Sequence, residues 1–186
     1  MPPPSLPKSI AGLAALIILA AGACWGQESS NRAKAHALVD AAIQMTDSNQ
    51  AVKLLWQATD IDPTLNEPYI YLGLFYNSRE DFNKVVEVYE KLIKYQPKEV
   101  SAYLNIGEAY MSLSPPNYDG ALAAYRKAYQ TDPQSSFAAL RIGQILAHQG
   151  NRAEAERFLK QASADTAKNA TVAAEAQKEL RQLGVF

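Results

Sequence analysis

The sequence predicts an all-α chain, a solenoid of four helical hairpins closed by a C-terminal capping helix, and three observations carry that reading. In the stretch Asn66 to Glu99, Tyr69, Leu72, Gly73 and Tyr76 recur at the spacing of one helical face, and so do Phe82, Val85, Tyr89 and Leu92. Between the two runs lies the polar turn Asn77-Ser78-Arg79-Glu80-Asp81. The helical run that stops at Pro97 is matched by runs stopping at Pro63, 34 residues earlier, and at Pro133, 36 residues later. A period of this length with one helical pair per unit indicates stacked hairpins, none of which can bury its apolar face alone.

Residues 1–9 are proline-rich with one lysine, Lys8, and Ile10 to Ala23 form an uncharged apolar run that ends in small residues before Cys24. That run, about 14 residues, falls short of the roughly 20 needed to cross a bilayer core, so residues 1–23 read as a secretory signal peptide. Three fates are open. Ala21 and Ala23 offer the small-x-small pattern of ordinary cleavage. Ala21-Gly22-Ala23-Cys24 resembles a bacterial lipobox, with Ala21 where that pattern carries a large aliphatic residue, and would make Cys24 a lipidated first residue. Retention of residues 10–23 as a membrane anchor is the third. Each places Gln27 onward outside the cytoplasm, in the periplasm or cell envelope, with residues 24–31 as a short tether.

The first repeat, residues 32–65, has Ala35, Leu38, Val39 and Ala42 on one helix and Ala51, Leu55 and Ala58 on the next. The second is residues 66–99. The third, residues 100–135, has Tyr103, Ile106, Gly107 and Tyr110, then Ala121, Tyr125 and Ala128, with a turn two residues longer that contains Ser114-Pro115-Pro116. The fourth, residues 136–169, has Ala139, Ile142, Gly143 and Leu146, then Ala155, Leu159 and Ala162, and carries Ala167 where a closing proline would stand. Residues 171–183 read as the capping helix, polar on one side with Glu175, Lys178, Glu179 and Arg181. Gly73, Gly107 and Gly143 sit in mid-helix, where glycine costs about 1 kcal/mol relative to alanine, so each should mark a close crossing by its partner helix.

These residues resemble the tetratricopeptide repeat: a large residue near the start of the first helix, Leu or Ile followed by Gly, then Tyr, and on the second helix Ala, an aromatic residue, Ala and a closing Pro. The second and third repeats match well, with Val85 and Leu92 large where the family usually has Ala. The resemblance covers residues 32–183 and implies a right-handed α-α superhelix whose first helices line a concave groove that holds a segment of a partner protein. The groove residues it implies are Ile70, Tyr71 and Leu74 from the second repeat, Leu104, Asn105 and Met111 from the third, and Phe137, Leu140 and Arg141 from the fourth. A family subset clamps a chaperone's terminal carboxylate with Lys, Asn, Asn, Lys and Arg. Only Asn105 and Arg141 remain of that set here, so the expected ligand is instead an apolar or amphipathic segment with an acidic group facing Arg141.

Composition narrows the remaining possibilities. The net charge is −1 and no basic block or phosphate-cradling glycine loop appears, so no nucleic-acid partner is expected. A single cysteine excludes a disulfide framework and a cysteine zinc site. His36 and His148 fall in different repeats and no nucleophile, base or paired-carboxylate spacing can be assembled, so the chain is expected to be non-catalytic, without cofactor or metal. Two functions remain: a scaffold or adaptor of the bacterial cell envelope that grips its partner in the groove, and a structural subunit of a larger membrane-associated complex that uses edges or the convex face.

Overall fold

A computed structural model describes residues 27–165 and 169–185, and these residues are all α, with nine helices and no strand. They are α1 (residues 27–43), α2 (Ser48–Ile61), α3 (Glu67–Ser78), α4 (Phe82–Tyr95), α5 (Val100–Ser112), α6 (Tyr118–Thr131), α7 (Ser136–His148), α8 (Arg152–Ser163) and α9 (Ala170–Gln182). The expected signal peptide, Cys24 and Ala167 lie outside the described residues. The tether reading of residues 24–31 is corrected where it can be seen, because residues 27–31 are helical. Extending an existing helix costs far less than nucleating one, and Gln27 Nε2 donates to Asn31 Oδ1 at 2.8 Å across one turn.

Most helix starts are set by side chains that the polar turns supply. Asp47, Asp81, Glu99, Asn117, Ser135 and Asn169 each accept a hydrogen bond from a backbone N–H in the first turn that follows. These satisfy donors that would otherwise have no intrahelical partner.

The chain divides into two compact units, one through residue 68 and one from Tyr69. In the first, Ala35, Val39 and Ala42 of α1 and Leu55, Ala58 and Thr59 of α2 are buried. Asp62 closes α2 and accepts from Arg32 Nε at 3.0 Å, Thr64 N at 2.9 Å and Thr64 Oγ1 at 2.6 Å. Burial pushes its carboxyl up, but the hydrogen bonds from Thr64 and Arg32 outweigh that and hold it below the ordinary carboxylate value.

In the second unit, neighbouring helices pack in sequence order, α4 on α5, α5 on α6, α6 on α7, α7 on α8 and α8 on α9. The glycine expectation can be tested atom by atom. A Cβ built on Gly73 would stand 2.5 Å from the Tyr89 hydroxyl, one on Gly107 2.5 Å from Tyr125 Cε1, and one on Gly143 2.6 Å from Leu159 Cγ. Each glycine therefore admits the large residue of its partner helix, and the alanines at 121, 128, 155 and 162 are fully buried between the same helices. Tyr103 donates its hydroxyl to the Pro97 carbonyl at 3.0 Å, joining the end of one repeat to the start of the next. On the second-helix side, Arg126 grips both Glu154 oxygens at 3.0 and 3.2 Å and Tyr129 donates to Gln161 at 2.6 Å, tying α6 to α8. α9 covers the last hairpin with Val172, Ala176 and Leu180 buried in one core with Leu146 and Leu159.

Candidate functional site

The first helices of the second unit turn one face away from their partners, and two cavities open along it. The smaller, about 340 Å³, lies among α3, α4 and α5 and is lined by Leu74, Asn77, Asn105, Glu108 and Ser112, among others. The larger, about 630 Å³, is lined from α5 by Glu108 and Met111, from α7 by Arg141, Gln144, Ile145 and His148, and from α9 by Glu179 and Gln182. Glu108 lines both, so the two cavities adjoin at that residue on the face formed by α3, α5 and α7.

The groove residues expected from the sequence fall into three groups. Ile70, Tyr71 and Leu74 are exposed, Leu74 by 60%. Asn105 and Met111 line the smaller and larger cavity respectively, with Asn105 Nδ2 donating to the Ser101 carbonyl at 2.8 Å. Leu104 and Phe137 are half-buried against the core. Leu140 is fully buried in that core and is not a groove residue. One residue's step turns a helix by about 100°, so its neighbour Arg141 faces the groove while Leu140 faces inward.

Arg141 is not the free cation that the sequence suggested. Its Nε donates to Glu108 Oε1 at 2.9 Å, its Nη1 donates to Gln144 Oε1 at 3.1 Å and stands 4.0 Å from Glu175, and its guanidinium lies 4.9 Å over the Phe137 ring. Gln144 Nε2 in turn donates to Glu175 at 2.8 Å and to Glu179 at 3.3 Å. From beneath, Tyr125 donates its hydroxyl to Glu108 Oε1 at 2.8 Å. Burial and then that carboxylate push the Tyr125 phenol far above its ordinary value, so it stays a donor. Tyr118 and His148 stack at 4.4 Å on the cavity wall. Where an acidic ligand group was expected to face Arg141, carboxylates of the chain itself stand beside it.

Sequence reasoning underrated Glu108, Gln144, Glu175 and Glu179. The available signal was the spacing of Glu175 and Glu179, two like charges one turn apart on a helix taken only as a cap. Among the described residues no group of three His, Cys, Asp or Glu side chains is placed to hold a metal ion, and no helix is long and apolar enough to cross a membrane.

A family model for the tetratricopeptide repeat matches residues 117–182, and a second one matches residues 78–136. Together they span more than half of the chain. Superkiller complex protein 3 of Homo sapiens is 25% identical over 111 residues, 59% of this chain and 7% of that protein. Its counterpart of the same name in Mus musculus is 24% identical over 121 residues, 64% of this chain and 8% of that protein. The chain thus spans less than a tenth of the length of these curated relatives. Among solved structures it is similar to MamA, with TM-score 0.58 and 21% identity over 80% of this chain and 81% of that one. It is also similar to TTC0263, a thermophilic TPR protein of Thermus thermophilus, with TM-score 0.57 and 20% identity over 81% and 83% of the two chains. The type III secretion translocator chaperone SycD of Yersinia enterocolitica gives TM-score 0.58 and 17% identity over 64% and 83%. At these identities the likeness is one of fold.

Proposed function

This chain belongs to the tetratricopeptide-repeat family, and on that premise we propose that it is a non-catalytic adaptor or scaffold that holds a segment of a partner protein in the groove along α3, α5, α7 and α9. The observation that carries the reading is the adjacency of the two cavities at Glu108 together with the exposed apolar side chains of α3 beside the smaller one. An isolated exposed leucine means little, but three large apolar residues on one helix beside a cavity describe a surface awaiting cover. The ligand class that fits is an amphipathic segment, with its apolar residues toward Ile70, Tyr71, Leu74 and Met111. The solved TPR2B-domain:pHsp70 complex of yeast Sti1 has the same kind of fold at 22% identity and TM-score 0.51, over 61% of this chain and 96% of that one. The carboxylate clamp is incomplete in this chain and Arg141 is engaged with Glu108, so a different ligand is in view. The leader-like residues 1–23 support placement in the cell envelope, by lipid attachment at Cys24, by simple cleavage or by a retained anchor.

A second reading, a structural subunit that uses its convex face, has Tyr95 in its favour, since it is exposed on α4 and lines neither cavity. Affinity capture from native membranes separates the two, with the tagged full chain beside an Ile70→Asp, Leu74→Asp variant whose changes fall on exposed positions. A defined partner that disappears in the variant supports the groove, and one retained in both overturns it in favour of the second reading. The intact mass of the recovered chain reports cleavage and lipid at Cys24.

A further inference from the structure

The groove is not electrically neutral. Three carboxylates surround a single guanidinium, that of Arg141: Glu108 bonds it directly, and Glu175 and Glu179 are linked to it through Gln144. Arg141 is spent on Glu108 and, at longer range, on Glu175. Glu179 accepts only from the neutral amide of Gln144 and has no cationic partner among the described residues. Arg152, at the start of α8, is engaged with the Leu183 carbonyl. Glu179 is also poorly placed for its own helix. It lies one turn beyond Glu175 on α9, where like charges repel, and in the last turn, where the helix dipole is already negative. Both local terms disfavour a carboxylate at 179, and a bound cation would offset them.

The walls of the larger cavity fit one kind of cation. Met111, Ile145, Ala147, Leu183 and the Tyr118 ring supply apolar surface for a hydrocarbon stem, while Glu108 from α5 and Glu179 from α9 line the same cavity as charge acceptors, with Arg141 between them already paired to Glu108. Arg and Lys have this form, a long apolar stem with a charged head. A volume of about 630 Å³ exceeds one such side chain and leaves room for its apolar neighbours in the same segment. An acidic or phosphorylated segment would meet excess negative charge and bury Glu179 unpaired. We propose that the cavity between α5, α7 and α9 seats a basic side chain, arginine or lysine, of the partner segment. This rests on the groove reading above and names the chemistry that the groove selects.

The test pans a random dodecapeptide phage library on the immobilised full chain. Enriched sequences, synthesised with a fluorescein label, are measured by anisotropy against wild type, Glu179→Gln and Met111→Asp. The expected peptides carry an Arg or Lys among apolar residues, and its replacement by Gln weakens binding to wild type by about five- to tenfold, the worth of one half-exposed charge-assisted hydrogen bond. The Glu179→Gln protein, with an unchanged helical spectrum and a melting temperature at or above wild type, shows the same loss, and the two losses do not add. Enriched peptides that are lost with Met111→Asp yet lack a basic residue, or ignore Glu179→Gln, overturn the basic seat and leave the groove standing. No enrichment, or binding indifferent to Met111→Asp, overturns both. The replacement on the peptide side keeps the test decisive whatever the variant does to the fold.

Discussion

Gly73, Gly107 and Gly143 would each weaken an isolated helix, and each is where a tyrosine or leucine of the partner helix lies closest. At Gly107 the obstacle is the ring of Tyr125, fully buried and anchored through its hydroxyl to Glu108, so it has nowhere to swing. Gly107→Ala should therefore destabilise the chain by about 2 kcal/mol, overpacking outweighing the gain in helix propensity of about 1 kcal/mol. Urea unfolding of the two proteins checks this. The glycine positions were legible because a mid-helix glycine contradicts helix propensity and demands a steric cause. The groove was less so. Helices α5 and α7 are covered on more than one side, and both faces are rich in apolar residues. Periodicity alone then cannot separate a buried leucine such as Leu140 from an exposed one such as Leu74. Nor does sequence spacing reveal ion pairs such as Arg141 with Glu108, 33 residues apart, which turned an expected cationic anchor into part of an acidic network.

Helix boundaries were the most readable feature at the next scale, because the turns carry Asp, Asn, Ser and Gly that act by capping. The capping helix was expected at residues 171–183 and lies at Ala170–Gln182, started by Asn169. The polar residues 27–31 were misjudged because composition alone does not stop a helix that is already propagating. α9 has two faces with separate duties. Val172, Ala176 and Leu180 close the core, while Glu175 and Glu179 face the groove network. Leu180→Ala should cost about 2–4 kcal/mol, since Leu180 is fully buried and the space left beside Leu146 and Leu159 can collapse only in part. A lowered thermal midpoint together with binding of a hydrophobic dye below that midpoint is the expected signature.

Across the second unit, stability is expected to be uneven, since each hairpin touches only its neighbours. α7 has eight buried residues, more than α4, α5, α6, α8 or α9, and packs against α6, α8 and α9. Its amides should exchange slowest, at least about tenfold more slowly than those of α9, which is packed from one side. Hydrogen exchange followed by mass spectrometry reads this directly, and equal rates in the two helices would contradict it. Tyr125 links that packing to the groove in a further way. As a ring it fills the space that Gly107 leaves, and a phenylalanine would fill it as well. As a hydroxyl it holds Glu108, the residue both cavities share. The ring thus fills the core and the oxygen fixes the carboxylate beside it. Descendants of this chain that drift to phenylalanine there would keep the packed ring while releasing Glu108 between the two cavities, so shape and surface chemistry can part company through a single atom.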